Sequence, residues 1–453
     1  MIDASAIAAA MKIPCLVSGD MQEKMQMWED AYRNQSAWIK DRVRSMQTPS
    51  AIARELKRLV LTEFSLSVND TELDTVMQKM IPKLRRKLDY GIASGGLLLK
   101  PYYTTNGLFV DMMPQTQYLP VNYTDDSCDA VACAESFVMG YAYYTRIELY
   151  QYNRATQAHT IQNRCFQSTA GNFLGRECSL KEVPHWANIK PEQSFQNVQQ
   201  PLFAIFQMPD ANNIDPDSPL GVSAFADALD FIKDADEHWE RILWELESSE
   251  RAIEASEDLF QINPFTQKHT LPKGRERMYH LLEKTGATDD HIYTVFSPEV
   301  RDSSYFNALN QMLRRIENAV GLSYGTLSEV SNVEKTAEEV LSSKQRSYTR
   351  VSDLQKGLQT ALEQLLYGMQ YYRNVYGFSG YPEATLSCNF GDGVLENSNE
   401  EFTRQLAMVQ AQVLKPELLL QYHFQCTAEE ARAMLPAANN PADYSLYGTG
   451  GER

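Results

Sequence analysis

The chain has 453 residues, roughly three times a typical domain, so a single small module is excluded and several packing units are expected. A hydrophobic share of 43% and a charged share of 22% exclude collagen-like, purely coiled-coil and wholly disordered chains. Lys and Arg number 42 against 59 Asp and Glu, a formal net charge of −17; a surface that negative repels phosphate backbones and excludes a clamp-like grip on nucleic acid.

The opening MIDASAIAAAMKIPCLV is small and apolar. Asp3 stands where a signal peptide needs positive charge and Lys12 interrupts the run, so a short N-terminal helix is expected rather than an export signal. From Asp20 to about Leu88 the spacing is helical: Met21, Met25 and Trp28 recur at i, i+4 and i+7, and Ile52, Leu56, Leu59, Val60 and Phe64 follow a similar stripe. The period changes over 97–208, where LLLKPYY, GLFVDMMP, AESFVMGYAYYTRIELYQYN, HTIQNRCFQS and PLFAIFQM predict an antiparallel β-rich block. NNIDPDSPLG (212–221) is a loop by its turn residues.

A long helix is expected over 223–252, capped by Ser223, with Phe225, Leu229, Ile232, Trp239, Leu243 and Leu246 on one stripe. Its other face is acidic: Asp227, Asp230, Asp234, Asp236, Glu237, Glu240, Glu245, Glu247 and Glu250 stand against Lys233, Arg241 and Arg251. Residues 253–302, broken by Pro264, Pro272 and Pro298, predict a small mixed α/β excursion carrying the basic stretch KHTLPKGRER. A returning helix starts at Ser303 or Ser304, carries Phe306, Leu309, Leu313, Ile316 and Val320 on its face, and ends at Gly321. After the loop GLSYGTLSEVSN, the capping box of Thr336 and Glu339 opens a helix reaching Gly377, with Gly357 and Gly368 as places for a kink. A β segment (ATLSCNF) follows, then short helices, the last opened by Thr427 and Glu430, and a disordered tail over 437–453.

Catalytic chemistry finds little support. Asp227, Asp230, Asp234 and Glu237 share a helical face that could hold Mg²⁺, but one helix without a partner motif reads as a solvated surface. EHWERILWE lacks the HExxH zinc pattern, and His238 reads as a surface or interface residue. GIASGG precedes LLLK rather than a Lys-Ser/Thr pair, so it predicts a helix-to-strand turn instead of a phosphate loop. The seven cysteines (Cys15, Cys128, Cys133, Cys165, Cys178, Cys388, Cys426) are odd in number and form no CxxC, which argues for a reducing compartment and against a disulfide framework. Cys128 and Cys133 are read as core or loop thiols, with a ligand pair as the alternative. No stretch approaches the ~18 apolar residues of a membrane span. No catalytic residue, metal or cofactor is expected.

Two helices flanking a small mixed unit, then a loop, then a very long helix form an order that resembles the portal proteins of tailed bacteriophages, in particular the long-tailed (siphovirus-type) group. The stretches that carry the resemblance are MQMWEDAYRNQSAWI, ASGGLLLKPYY, YYTRIELYQYN, PLFAIFQMPDANNIDPDSPLGVSAFADALDFIKDAD and NVEKTAEEVLSSKQRSYTRVSDLQKGLQ. NFGDGVLENSNEEFTRQLAMVQAQVLKPELLLQYHFQCTAEEARAML is similar to the family's crown.

The resemblance implies an α+β fold with a helical stem, an α/β wing holding the antiparallel block, a small α/β clip and a short helical crown. It places the wing at 1–222, the stem helices at 223–252 and 303–321, and the clip at 253–302. The tunnel loop falls at 322–335, the long wing helix with its β segment at 336–395, and the crown at 396–436. It further implies a homo-dodecameric ring at one capsid vertex that passes double-stranded DNA during packaging and ejection. Such a ring docks the large terminase subunit, then a head-completion or adaptor protein, and contacts major capsid and scaffold proteins; it is assembled in the host bacterial cytoplasm and resides in the virion.

By that analogy the acidic stem face (Asp227, Asp230, Asp234, Glu237, Glu240, Glu245) lines a channel that repels phosphate from all sides. The loop residues Ser328, Glu329, Ser331, Asn332, Glu334 and Lys335 are the expected DNA contacts, with Lys335 either touching phosphate or pairing with Glu338 or Glu339. The clip's Lys268, Lys273, Arg275 and Arg277 are either a docking surface for an acidic partner or an exposed loop. Rival readings from other classes are a metal-dependent nuclease of phage packaging and a scaffold or adaptor head protein that forms no ring.

Overall fold

Helical spacing from Asp20 to about Leu88 and the β-rich composition of 97–208 are realised in a computed structural model. It describes residues 2–40, 42–124, 127–216, 218–249, 252–256, 260–265, 279–282, 293–296, 302–329, 337–377, 383–391, 398–411, 413–424, 431–432 and 434–435. The chain divides into two units, residues 1–61 with 65–388, and residues 62–64 with 389–453.

The first unit opens with α1 (Ala4–Met11), where the Asp3 carboxylate accepts from the Ser5 amide at 2.9 Å. In α2 (Gly19–Tyr32), Ser18 caps the Met21 amide at 3.0 Å and Met21, Met25 and Trp28 are buried, as their spacing predicts. α3 (Thr48–Leu61) buries Ile52, Leu56 and Val60. A four-residue strand the sequence reading passes over, β1 (Ser65–Val68), precedes α4 (Thr71–Ser94), which Asp70 caps at the Leu73 amide.

Gly95 ends α4 at φ +99° and β2 (Gly96–Thr104) begins at once, so GIASGG is the expected helix-to-strand turn. The turn is also a weld. Gln115, fully buried, donates from Nε2 to the Gly221 carbonyl at 2.8 Å and accepts from the Gly221 amide at 3.0 Å, while the Met208 amide donates to the Gly95 carbonyl at 3.0 Å. A Cβ on Gly95 would sit 2.3 Å from the Gly221 carbonyl oxygen, closer than atoms pack, so only glycine brings the two backbones together here.

The β-rich block follows as β3 (Gly107–Pro114), β4 (Tyr118–Thr124), β5 (Ser127–Met139), β6 (Ala142–Asn153), β7 (Ala158–Ser168), β8 (Arg176–Cys178), β9 (Glu192–Phe195) and β10 (Ala204–Gln207). They form a three-stranded sheet β10-β2-β3 and a larger sheet β4-β5-β6-β7-β8 with β9 on β7, antiparallel at every pairing given.

Where the two sheets meet, a buried ionic cluster forms. Lys100 of β2 pairs with Glu148 of β6 and lies 3.9 Å from Asp111 of β3, which Lys83 of α4 also meets at 3.1 Å. Arg146 completes it, 2.9 Å from Glu135 and 3.6 Å from Glu148.

α5 (Leu229–Ser248) comes next, then β11 (Ala252–Ser256), β12 (Tyr279–Leu282) and β13 (Tyr293–Phe296), a sheet in which β11 runs parallel to β12 and antiparallel to β13. Among the described residues between Ala252 and the start of α6, 252–256, 279–282 and 293–296 are strands, 260–265 are bend and turn with one bridge residue, and none is helical. α6 (Asp302–Val320) returns, and Gly321 at φ +75° follows it as the expected left-handed cap. α7 (Ala337–Tyr376) spans 40 residues, about 60 Å at ~1.5 Å per residue. It buries Val351, Leu354, Leu358, Leu362, Leu365 and Met369 on one stripe and lies on β2 and β10. β14 (Leu386–Asn389) pairs with β1. The second unit contains α8 (Ser398–Gln410) and α9 (Pro416–Phe424). Thr336, the Thr427 and Glu430 box, and the tail 437–453 lie outside the described residues.

Candidate functional site

The antiparallel pair α5 and α6, with the loop leaving α6, holds most of the described site residues. The entry to α5 differs from the sequence expectation. Residues 226–228 form a 3₁₀ turn and α5 starts at Leu229 with no side-chain cap, because the buried Ser223 hydroxyl accepts from the Phe225 amide at 3.4 Å inside the preceding turn. The chain is fixed at this point by Phe225, fully buried, and by the Ala224 amide donating to the Ile92 carbonyl at 3.1 Å.

Leu229, Ile232, Ala235 and Ile242 form the buried stripe of α5, and Trp239 is half-buried beside it. Asp227, Asp230 and Asp234 are exposed, and Glu237, Glu240 and Glu245 are half-buried. Asp236 departs from the acidic face. It is buried and accepts from the Trp38 indole at 3.0 Å and the Met46 amide at 2.8 Å, so it ties α5 to the segment before α3. Burial pushes its carboxyl above the usual range, against the pull of these two bonds.

His238, expected at a surface or interface, faces α6 instead. Its Nε2 meets the Tyr305 carbonyl at 2.9 Å and its ring stacks on that of Tyr305 at 5.6 Å. On α6, Leu309, Ile316 and Val320 are buried as expected, but Phe306 is 45% exposed and lies off the packed stripe.

The loop after α6 is anchored by a residue the sequence reading missed. Glu317, fully buried, accepts from the Leu327 amide at 2.6 Å, the Ser328 amide at 2.8 Å and the Ser328 hydroxyl at 2.8 Å. The available signal is its place, four residues after Leu313 and three before Val320, where an acid interrupts an apolar stripe. Two turns earlier, Asn310 takes the Glu329 amide at 2.8 Å and donates to the Glu329 carbonyl at 3.3 Å. Ser328 is therefore buried against α6 and Glu329 is exposed, held by its main chain. Ser331, Asn332, Glu334 and Lys335 lie outside the described residues, as do Lys268, Lys273, Arg275 and Arg277.

Among the described residues no group of three or more His, Cys, Asp and Glu is placed to hold a metal ion. The exposed acids of α5 are strung along one helix face rather than converged on a pocket. Cys128 lies half-buried and Cys133 buried in β5; burial pushes both thiols up to about 12, which makes them poor ligands. No helix of the described residues is long and apolar enough to cross a membrane.

No curated protein matches the chain. A family model described as phage portal protein, SPP1 Gp6-like, matches residues 91–440, well over half of the chain and the whole stretch from the end of α4 through α9. The α+β fold, with an antiparallel block, a paired α5 and α6 and the long α7, agrees with that assignment. The chain belongs to the SPP1 Gp6-like family of phage portal proteins.

Proposed function

We propose that this portal protein assembles into a ring of twelve copies at one capsid vertex and forms the channel through which double-stranded DNA enters and leaves a long-tailed phage head. The observation that carries the reading is the family match across the α5, α6, loop and α7 succession. In this reading α5 and α6 are the stem, 253–302 the clip, 322–335 the tunnel loop, 1–222 with 336–395 the wing, and 396–436 the crown. The ring docks the large terminase subunit during packaging and a head-completion or adaptor protein afterwards, with capsid and scaffold proteins around it. It takes no part in bond chemistry and carries no cofactor.

Exposed Asp227, Asp230 and Asp234 support a channel that keeps DNA central and free to slide, since a ring of such faces repels phosphate and offers no counterion release. Of the loop residues, Ser328 acts as the loop's anchor, and contact with DNA falls to Glu329, Ser331, Asn332, Glu334 and Lys335. Lys268, Lys273, Arg275 and Arg277 serve as the partner-docking face of the clip.

Native mass spectrometry with electron-microscope class averages of the purified protein tests the ring: a closed assembly of about twelve chains with a central hole is expected. A monomer or dimer that persists across salt, concentration and added scaffold overturns it in favour of a head protein that forms no ring. The assembled protein is also expected to bind duplex DNA more weakly than ~1 µM at physiological salt. Nanomolar, salt-sensitive binding by the ring would contradict a sliding channel.

A further inference from the structure

Cys165 and Cys178 are register partners on β7 and β8, and their Sγ atoms lie 3.3 Å apart. The strands that carry them are set independently of sulfur chemistry. Phe166 and Gln167 pair with Glu177 and Arg176, and the Arg176 guanidinium donates to the Gln167 side chain at 3.1 Å. Gly175, at φ +70°, brings the returning chain so close that a Cβ there would sit 2.1 Å from the Gln167 carbonyl oxygen. Beneath the sulfurs, Cys165 is packed in a core of Tyr144, Leu180, Val183 and Trp186, with Cys178 at its edge. Both thiols are free.

From this geometry we infer that Cys165 and Cys178 are an oxidisable dithiol that closes into an intrachain disulfide when the protein meets a small-molecule disulfide such as oxidised glutathione. The inference is independent of the ring and channel reading. Cys178 is half-buried and reachable; Cys165 is buried, and burial followed by its contact with Cys178 pushes its thiol up to about 12. The order of steps follows. The Cys178 thiolate attacks one sulfur of the small disulfide, forms a mixed disulfide and expels one thiolate, which takes up a proton. Cys165 then loses its proton, attacks the Cys178 sulfur and expels the second small thiolate. Two protein thiols lose two electrons and two protons, and the small disulfide gains both as two thiols. Only a short approach of the two sulfurs is required, because the strand register already places them opposite each other.

The bond staples β8 to β7 and closes the connection 169–175 at its base, next to the core that holds Trp186. A reducing cytoplasm keeps the pair as thiols; an oxidising exterior closes it. The full chain is treated with oxidised glutathione, free thiols are alkylated, and the protein is mapped by mass spectrometry without reduction. A linked peptide pair containing Cys165 and Cys178 is expected, about 2 Da lighter than the two reduced peptides together and restored by dithiothreitol. Cys178→Ser is expected to abolish the linked pair and leave Cys165 unmodified, and it avoids placing a hydroxyl in the core. The oxidised form is expected to be cleaved within 169–175 at least ~10-fold more slowly than the reduced form. A glutathione adduct that stays on Cys178, a link between two chains, or equal cleavage of the two forms overturns the inference.

Discussion

Replacing Lys100 by Met is expected to lower the unfolding free energy by about 3–5 kcal/mol, read as a fall in the urea midpoint of the full chain. Lys100 is only 3% exposed and its ammonium stands between Glu148 and Asp111, so its loss strands a buried carboxylate. The remaining cation near Glu148 is Arg146 at 3.6 Å, which is already engaged by Glu135 at 2.9 Å. Replacing Lys100 by Met and Glu148 by Leu together is expected to recover part of the loss, since the buried Tyr150 hydroxyl then gives up its bond to the Glu148 carboxylate. Arg146 keeps Glu135, Asp111 keeps Lys83, and neither desolvated charge is left alone. A double variant no more stable than Lys100→Met would show that the cluster acts through something other than charge pairing.

The same cluster fixes the acid limit of the fold. Burial alone would raise the Glu148 carboxyl, but Lys100 and Arg146 outweigh it and hold the carboxyl below its ordinary value of 4.5. Asp111 is likewise held low, by Lys100 and then Lys83 acting against burial. A carboxylate whose folded pKa lies below its unfolded one contributes in full above the unfolded value, and that contribution is lost as pH falls through the folded value. Stability is therefore expected to decline from about pH 4.5 downward, and the decline is expected to flatten in the Lys100→Met, Glu148→Leu double variant. Equilibrium urea titrations between pH 3 and 7 would read both slopes.

Glu317→Ala carries the second large effect. It leaves the Leu327 amide, the Ser328 amide and the Ser328 hydroxyl without their acceptor in a buried site, at about 3 kcal/mol. Amide exchange at Leu327 and Ser328 is expected to accelerate by roughly 100-fold, while the amides of Ile232 and Leu354 stay as protected as before. Glu317→Gln is expected to change little. Both amides go to the same carboxylate oxygen, which the amide oxygen replaces, and the new NH₂ donates to the Ser328 oxygen. Equal exchange in Glu317→Ala and the parent chain would remove Glu317 as the anchor of the loop.

Elements with clear boundary residues or a marked composition were legible in the sequence. α7 was, because the Thr336 and Glu339 box and Gly377 bracket a long run, and so was the β block, because it is rich in Val, Ile, Tyr, Phe and Thr and broken by Asn, Gly, Asp and Pro. β1 was not, since four residues with two buried ones give too short an alternation to separate from a helix end. The start of α5 was placed early because Ser223 has the chemistry of a cap, and only the backbone reveals that it serves a turn.

The side chains that organise the site were harder to see. Asp236 looks like its acidic neighbours until Trp38 and Met46, nearly two hundred residues earlier, supply its partners. Cys165 and Cys178 are thirteen residues apart and become neighbours only through the register of β7 and β8. In each case the deciding partner is set by tertiary pairing, which a single-sequence period does not encode.

The weld at Gly95, Gln115 and Gly221 decides how the α5 and α6 pair can respond to force. The chain reaches α5 from a point gripped on both backbone sides by Gln115, and the Ala224 amide pins it again to Ile92 three residues later. In engineering terms the root of α5 is a built-in end and not a pin joint. A cantilever fixed in this way passes a bending moment into its support, so a push near Ser248 arrives at β2 and β10 as torque. The compliance of the pair is thus governed in part from outside it, by two glycines and one glutamine at the wall and by the tie from Asp236 to Trp38 and Met46 farther along the beam.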